Sequence, residues 1–315
     1  MKTCFLTILD ADIRHLEHIG RWGSAFLLRT ARNSFHRFLS TGPTDFPEQL
    51  PLTVLTPQLI CRYEAYLEQS GVSRNSSSAY MRALRAACSR AGGLSFGTNL
   101  FAKVYTGIDH TRKRAIDQNL LVRLASLPLR ADSPLEWARR LFLFSYGTRG
   151  MSFVDMAYLC QADLRDGQLH YLRRKTGQAF QVKVTPLMRQ LLESFQSRTV
   201  APYLLPILST TDADAAMRQY HTKLRYYNKQ LHRLEAMLGE GVCLTSYVTR
   251  HSWATHALEQ QVSISTISQA LGHESEKTTR IYLKSINNPA IHDANDLLMR
   301  RLEKGMKQKN CTHSK

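Results

Sequence analysis

Apolar residues recur at helical spacing through most of this chain and alternate with polar ones in one short stretch. From Ser24 to Phe38, the positions Leu27, Leu28, Ala31, Phe35 and Phe38 share one helical face, and Gly42-Pro43 ends the pattern. A second helix is expected from Thr56-Pro57, a capping hydroxyl before proline at the first helical position, to Gly71. Its stripe is Leu59, Tyr63, Tyr66 and Leu67. A third should run from Ser73 to Ala91, with Tyr80, Met81, Leu84 and Cys88 inward. Residues 103–115 look like a basic connector.

Beyond it, helices are expected at Asp117 to Leu127 and Leu135 to Tyr146. The period then changes from helical to two. Asp166-Gly167 is a hairpin signal, Leu169, Tyr171 and Arg173 alternate with His170, Leu172 and Arg174, and a second turn at Lys175-Thr176-Gly177-Gln178 leads into Phe180, Val182 and Val184. Three short antiparallel strands result. Helical patterns resume at about 186–197, 213–238, 246–260, 263–271 and 275–284, and a last one at about 290–306 carries Ala290, Ile291, Ala294, Leu297, Leu298 and Leu302 on one side. The fold class expected is mainly α with a small antiparallel β-sheet.

Charge narrows the function. The 315 residues carry a net charge of +17, an excess that points to a polyanionic partner such as DNA, RNA or an anionic membrane. No run of eighteen apolar residues is present, so no membrane span is expected. The apolar content of the first ten residues is too short for a secretion signal and meets Asp10 and Asp12 too early, and the six cysteines contain no CxxC pair, which fits a reduced cytoplasm and speaks against a metal site. On the third helix, Asn75 and Ser76 lie near the N-terminus, and Arg74, Arg82 and Arg85 follow. Two readings stand there: a phosphate-contacting face, or a solvated face with a capping serine. Arg112, Lys113 and Arg114 of the connector suit a DNA backbone.

The chemistry concentrates in the last third. Arg250, His273 and Tyr282 offer charge neutralisation, a hydrogen bond and a hydroxyl able to be joined to phosphorus. Three stretches carry a family resemblance: Tyr247 to His256, Leu271-Gly272-His273, and Thr278-Thr279-Arg280-Ile281-Tyr282. Together they resemble the tyrosine recombinase (phage integrase) family, whose pattern there is roughly HxLRHxxAT, LGH and TxxYxH. Upstream, Thr148-Arg149-Gly150-Met151-Ser152-Phe153-Val154-Asp155-Met156 looks like the family's first arginine motif. Arg174-Lys175-Thr176-Gly177-Gln178 looks like its β-turn lysine motif. The wording of both is closest to members from the Bacteroides group.

The resemblance implies a site-specific recombinase acting without metal, ATP or other cofactor. Arg149 and Arg250 would clamp the scissile phosphate. Lys175 would protonate the leaving 5′-hydroxyl, and His273 would hydrogen-bond a non-bridging oxygen. Tyr282 would attack to give a 3′-phosphotyrosyl bond. Asp155 would orient Arg149, or form a buried ion pair with it, although it comes six residues later than the arginine. His251 and His256 read as structural. Tyr247 stands where the family has histidine, and Lys284 where many members have a second one.

The domains implied are a helical core-binding domain at 1–105, a basic linker at 106–114 and a catalytic domain at 115–315, forming a C-shaped clamp on double-stranded DNA recombination sites. The helix at 290–306 would pass to a neighbouring protomer of a homotetramer assembled on DNA. Accessory DNA-bending proteins are partners of the kind the family uses, and the location would be the bacterial cytoplasm, on the nucleoid. Two other readings stay open: a type IB topoisomerase-like enzyme that nicks and reseals, and a catalytically weak DNA-binding member of the same family.

Overall fold

The structure is a computed structural model. It describes residues 4–41, 54–90, 100–109, 115–239, 241–273 and 275–283, with the side chains of 277 and 281–283 excepted. The helix expected at 290–306, Lys284, and Arg112, Lys113 and Arg114 lie outside the described residues. The chain divides into two compact units, Met1–Thr111 and Arg112–Lys315. It is mainly helical with one small antiparallel sheet, as its apolar periodicity indicates.

The first unit holds α1 (Phe5–His18), α2 (Trp22–Thr41), α3 (Pro57–Gln69) and α4 (Arg74–Arg90). Helix α1 was not anticipated, yet its buried side chains Phe5, Leu6, Leu9, Ile13 and Leu16 keep helical spacing. An aromatic cluster anchors the core: Phe35 meets Phe5 edge-on at 5.7 Å and Tyr63 at 5.0 Å. Helix α3 starts as expected, with the Thr56 hydroxyl accepting from the Leu59 amide and Pro57 at the first position.

The connector's first part belongs to this unit. Leu100, Phe101 and Val104 are buried in its core. The Tyr105 amide donates to Glu64 at 2.8 Å. The Asn75 side chain makes a two-way bridge with Asp109, donating to its carbonyl at 3.0 Å and accepting from its amide at 2.8 Å. Residues 106–109 are therefore pinned to α4 instead of forming free linker. Asn75 thus ties Asp109 to the start of α4 through both ends of its amide.

The second unit holds α5 (Gln118–Ala125), α6 (Pro134–Gly147), α7 (Phe153–Ala157), β1 (Leu164–Arg165), β2 (Gln168–Leu172), β3 (Ala179–Lys183) and α8 (Pro186–Glu193). It continues with α9 (Ala213–Leu238), α10 (Val248–Glu259), α11 (Ile264–Leu271) and α12 (Glu276–Leu283). Asp166 and Gly167 both take positive φ, 49° and 71°, the turn that closes a two-residue hairpin. The sheet order is β1-β2-β3, with Leu169 opposite Val182 and Tyr171 opposite Phe180. Leu169 and Val182 face a core built on Leu141, Phe142, Phe144, Met156 and Tyr227. Helix α8 stops at Glu193, earlier than the periodicity suggests, and a separate 3₁₀ turn follows at Gln196–Arg198. No described helix is long and apolar enough to cross a membrane.

Candidate nucleic-acid cleavage site

Three loops bring the distant motifs of the second unit together. The first is the end of α6. Thr148 caps the helix, its hydroxyl donating to the Phe144 carbonyl at 2.8 Å. Arg149 and Gly150 then both adopt left-handed backbone, with φ of 63° and 76°. For arginine this conformation costs about 1–2 kcal/mol, a strain of the kind found at functional sites. The turn is closed by the Gly150 amide donating to the Ser145 carbonyl at 2.8 Å. A side chain at Gly150 would overlap the Cα and Cβ of Arg250, so the two arginine motifs touch through their backbones. The buried Ser145 hydroxyl bridges the same seam, at 2.9 Å from the Met151 carbonyl and 2.8 Å from the Thr249 hydroxyl.

The second loop is the Lys175 turn between β2 and β3. It is closed by Arg173 N to Gln178 O at 2.8 Å and Gly177 N to Arg173 O at 2.7 Å, and it leaves Lys175 exposed. Asp155, 5% exposed on α7, holds this turn: one carboxylate oxygen accepts from the Arg174 amide at 2.9 Å, the other from the Ser152 hydroxyl at 2.6 Å. The expectation that Asp155 pairs with Arg149 is corrected here. Its two oxygens are bonded to α7 and to the lysine turn, and among the described residues no ion pair joins it to Arg149. The Arg174 guanidinium lies 3.7 Å over the Tyr158 ring, a second tie from turn to body.

The third loop is Leu271-Gly272-His273. Gly272 ends α11 at φ 62°, and a Cβ there would overlap the Phe180 ring and the Gln178 amide oxygen of β3 and its turn. The Arg173 guanidinium reaches the carbonyls of Leu271 and Gly272 at 3.5 Å each. Arg250, 5% exposed, donates to the Leu271 carbonyl, and the same nitrogen lies 3.4 Å from His273 Nε2. His273 Nδ1 lies 2.8 Å from the hydroxyl of Thr279, which is fully buried on α12.

Arg149, Arg250, His273 and the Lys175 turn thus converge. Tyr282 is on α12, one turn after Thr279, and its side chain lies outside the described residues. Tyr247 precedes α10 half-exposed, edge-on to the His251 ring at 4.9 Å. His256 is structural as expected: its two nitrogens bridge the Tyr146 hydroxyl at 2.8 Å and the Ile116 carbonyl at 2.9 Å.

Sequence reasoning passed over three features. Tyr171 stacks on Phe180 at 5.4 Å; burial pushes its phenol above the ordinary range, Asp155 adds to the rise, and Arg250, Arg173 and Arg149 oppose it, so the ring sits amid the charged groups of the site. Its place in the two-residue alternation beside Arg173 was the available signal. Thr279 was seen only as part of a motif. On α9, Arg218, Arg225, Lys229 and Arg233 are all exposed, and their spacings of seven, four and four residues put them along one side of the helix. In the first unit, Arg74 and Arg85 are exposed and Arg82 and Ser76 half-buried on α4. Arg74 packs over Tyr105 at 3.9 Å and pairs with Asp109 at 3.6 Å, while Ser76 meets the Ser73 hydroxyl at 2.9 Å.

Comparison with known proteins bears on the same two units. Residues 130–288 match the phage integrase family, and residues 4–92 match the phage integrase SAM-like domain. The tyrosine recombinase XerC of Neisseria gonorrhoeae is 28% identical over 178 residues, 54% of this chain and 55% of that protein. The tyrosine recombinase XerA of Thermococcus onnurineus is 30% identical over 154 residues, 46% of this chain and 50% of that protein. The match thus spans about half the length of these relatives. Among solved structures, a lambda integrase dimer bound to a COC′ core site superposes with a TM-score of 0.61 at 17% identity, covering 88% of this chain and 76% of that one. A Tn1549 transposon integrase in complex with transposon right end DNA gives 0.58 at 12% identity, covering 95% and 99%. At these identities the likeness is one of fold.

Proposed function

The chain belongs to the phage integrase family, and we propose that it is a site-specific DNA recombinase of the tyrosine type. The observation that carries this reading is the seam at Gly150, where the Arg149 turn rests on the Arg250 backbone while Arg250 itself reaches His273. These two arginines and the imidazole suit a phosphodiester. They neutralise its charge and stabilise the further charge that develops as phosphorus becomes five-coordinate.

In the proposed reaction, Arg149 and Arg250 hold the scissile phosphate and His273 donates to a non-bridging oxygen. The Tyr282 oxygen bonds to phosphorus as the bond to the 5′-oxygen breaks, and Lys175 gives that oxygen its proton. Tyrosine is a weak nucleophile at its ordinary pKa of about 10, so the cations supply most of the help. Tyr247 contributes a phenol where a histidine base is usual, and water takes the Tyr282 proton. The phosphotyrosyl bond keeps the energy of the broken phosphodiester. Resealing therefore needs no ATP or metal.

Asp155 acts by fixing the Lys175 turn. Arg74, Arg82 and Arg85 on α4, Arg112 to Arg114 and the α9 row supply backbone contacts. Ser76 stays with them as a helix N-terminal hydroxyl. The first unit serves as a core-binding domain and the second as the catalytic domain. The partner is duplex DNA carrying recombination sites, with four protomers joined through the segment at 290–306 and accessory DNA-bending proteins assisting. The setting is the cytoplasm, at the nucleoid.

A supercoiled plasmid carrying two copies of a binding site, selected from random DNA with the purified protein, tests this. Recombinant circles or inverted segments are expected. Relaxation with no exchange would instead favour a nicking-resealing enzyme, and binding with neither would leave a DNA-binding protein.

A further inference from the structure

The two ring nitrogens of His273 face different partners. Nε2 lies 3.4 Å from an Arg250 guanidinium nitrogen, and Nδ1 lies 2.8 Å from the Thr279 hydroxyl. A guanidinium has only donors, so the nitrogen that faces it accepts. A neutral imidazole then carries its proton on Nδ1, and that N–H donates to Thr279 Oγ1.

Thr279 has no solvent exposure. It sits on α12, three residues before Tyr282. Its hydroxyl reaches His273 only when this helix is seated against the Leu271-Gly272-His273 loop. We propose that Thr279 is a positioning residue acting through His273, so that seating of the nucleophile helix and the protonation pattern of the imidazole are a single event. With α12 seated, Nδ1 is committed to Thr279 and Nε2 faces Arg250. This inference rests on the proposed function for its meaning, but its geometry stands without DNA.

A hydroxyl suits the task because it both accepts and donates. When a phosphate enters beside Arg250, Nε2 needs a proton to donate to it. One route takes a proton from solvent onto Nε2 while Nδ1–H stays on Thr279. In the other, the ring loses its Nδ1 proton to solvent and gains one at Nε2 as the hydroxyl rotates to donate to Nδ1. Valine, of the same shape, supports neither.

The experiment is nitrogen NMR of the full chain labelled at histidine, with the His273 signals assigned by their loss in His273→Asn. Wild type and Thr279→Ser are expected to show the Nδ1-protonated neutral ring. Thr279→Val leaves the Nδ1–H without its acceptor, so the ring is expected to turn away from Arg250 and lose that signature, and Thr279→Ala provides the same comparison if the valine variant does not fold. A wild-type ring protonated at Nε2, or a valine or alanine variant that keeps the Nδ1 proton, overturns the proposal. No DNA is used, so a failed recombination assay leaves this result standing and a failed NMR result leaves the recombinase reading standing. On selected-site DNA, covalent adduct formation at saturation should fall about tenfold in Thr279→Val, equivalent to about 1.4 kcal/mol, and recover in Thr279→Ser, with DNA affinity unchanged in both.

Discussion

Replacing Gly150 with alanine strikes the seam between the two arginine motifs. The residue sits at φ 76°, where an alanine costs about 1–2 kcal/mol. The added Cβ would overlap Arg250 Cα and Cβ and come within 2.8 Å of its Cγ. Because the obstruction includes backbone, relief requires moving the first turn of α10 and with it the buried Arg250. Overpacking of this kind costs about 1–3 kcal/mol, for a total of about 2–5 kcal/mol. With a urea slope of about 2 kcal/mol per molar, the midpoint of the second unit should fall by about 1–2.5 M. Trp137 and Trp253 report that transition by fluorescence in a Trp22→Phe background.

Gly147→Ala is the control, since a Cβ there meets only the flexible Met188 side chain, at 3.0 Å. It should change stability by no more than about 1 kcal/mol. An unchanged midpoint in Gly150→Ala, or equal losses in both variants, would refute the claim that Arg149 and Arg250 are held by this contact.

Asp155→Ala leaves the Arg174 amide and the Ser152 hydroxyl without their acceptor, and limited trypsin digestion should cut faster at Arg173, Arg174 or Lys175; protection equal to wild type counts against the clamp. Gly272→Ala, obstructed by the Phe180 and Gln178 side chains and strained at φ 62°, should lower the thermal midpoint less than Gly150→Ala, because side chains yield where backbone does not. Burial, then Arg225, lowers the pKa of His221, so the unfolded chain takes up this proton at higher pH than the folded one. That stability is fully present above the unfolded value of about 6.5 and is lost as pH falls through it. His221→Gln should flatten this part of the urea-midpoint profile, and an identical slope contradicts the assignment.

Much of the framework was legible because its signals are local. Asp166-Gly167 specifies its own turn, Thr56-Pro57 caps and starts a helix without tertiary help, and the period-two alternation from Leu169 to Val184 admits only strands. The convergence of Arg149, Arg250 and His273 was readable through the family motifs, since nothing local to Arg149 indicates that Gly150 rests on α10. What escaped depends on long-range geometry. Asp155 looked like a partner for the nearest arginine in sequence, but α7 turns its carboxylate to the Arg174 amide nineteen residues on. Asn75 looked like a surface polar residue at a helix start until Asp109 folded back onto it. Helix α1 was passed over because its acidic residues Asp10 and Asp12 drew notice only as an argument against a secretion signal. Asp12 in fact pairs with Arg90 at 2.6 Å.

The central claim is that Tyr282 becomes covalently joined to DNA. It is tested most directly by trapping the protein on a nicked duplex carrying its selected site and locating the linked residue by mass spectrometry. The account predicts an SDS-resistant adduct bearing DNA through its 3′-phosphate on Tyr282, absent in Tyr282→Phe. An adduct on another residue, one that survives Tyr282→Phe, or tight site-specific binding with no adduct would contradict it.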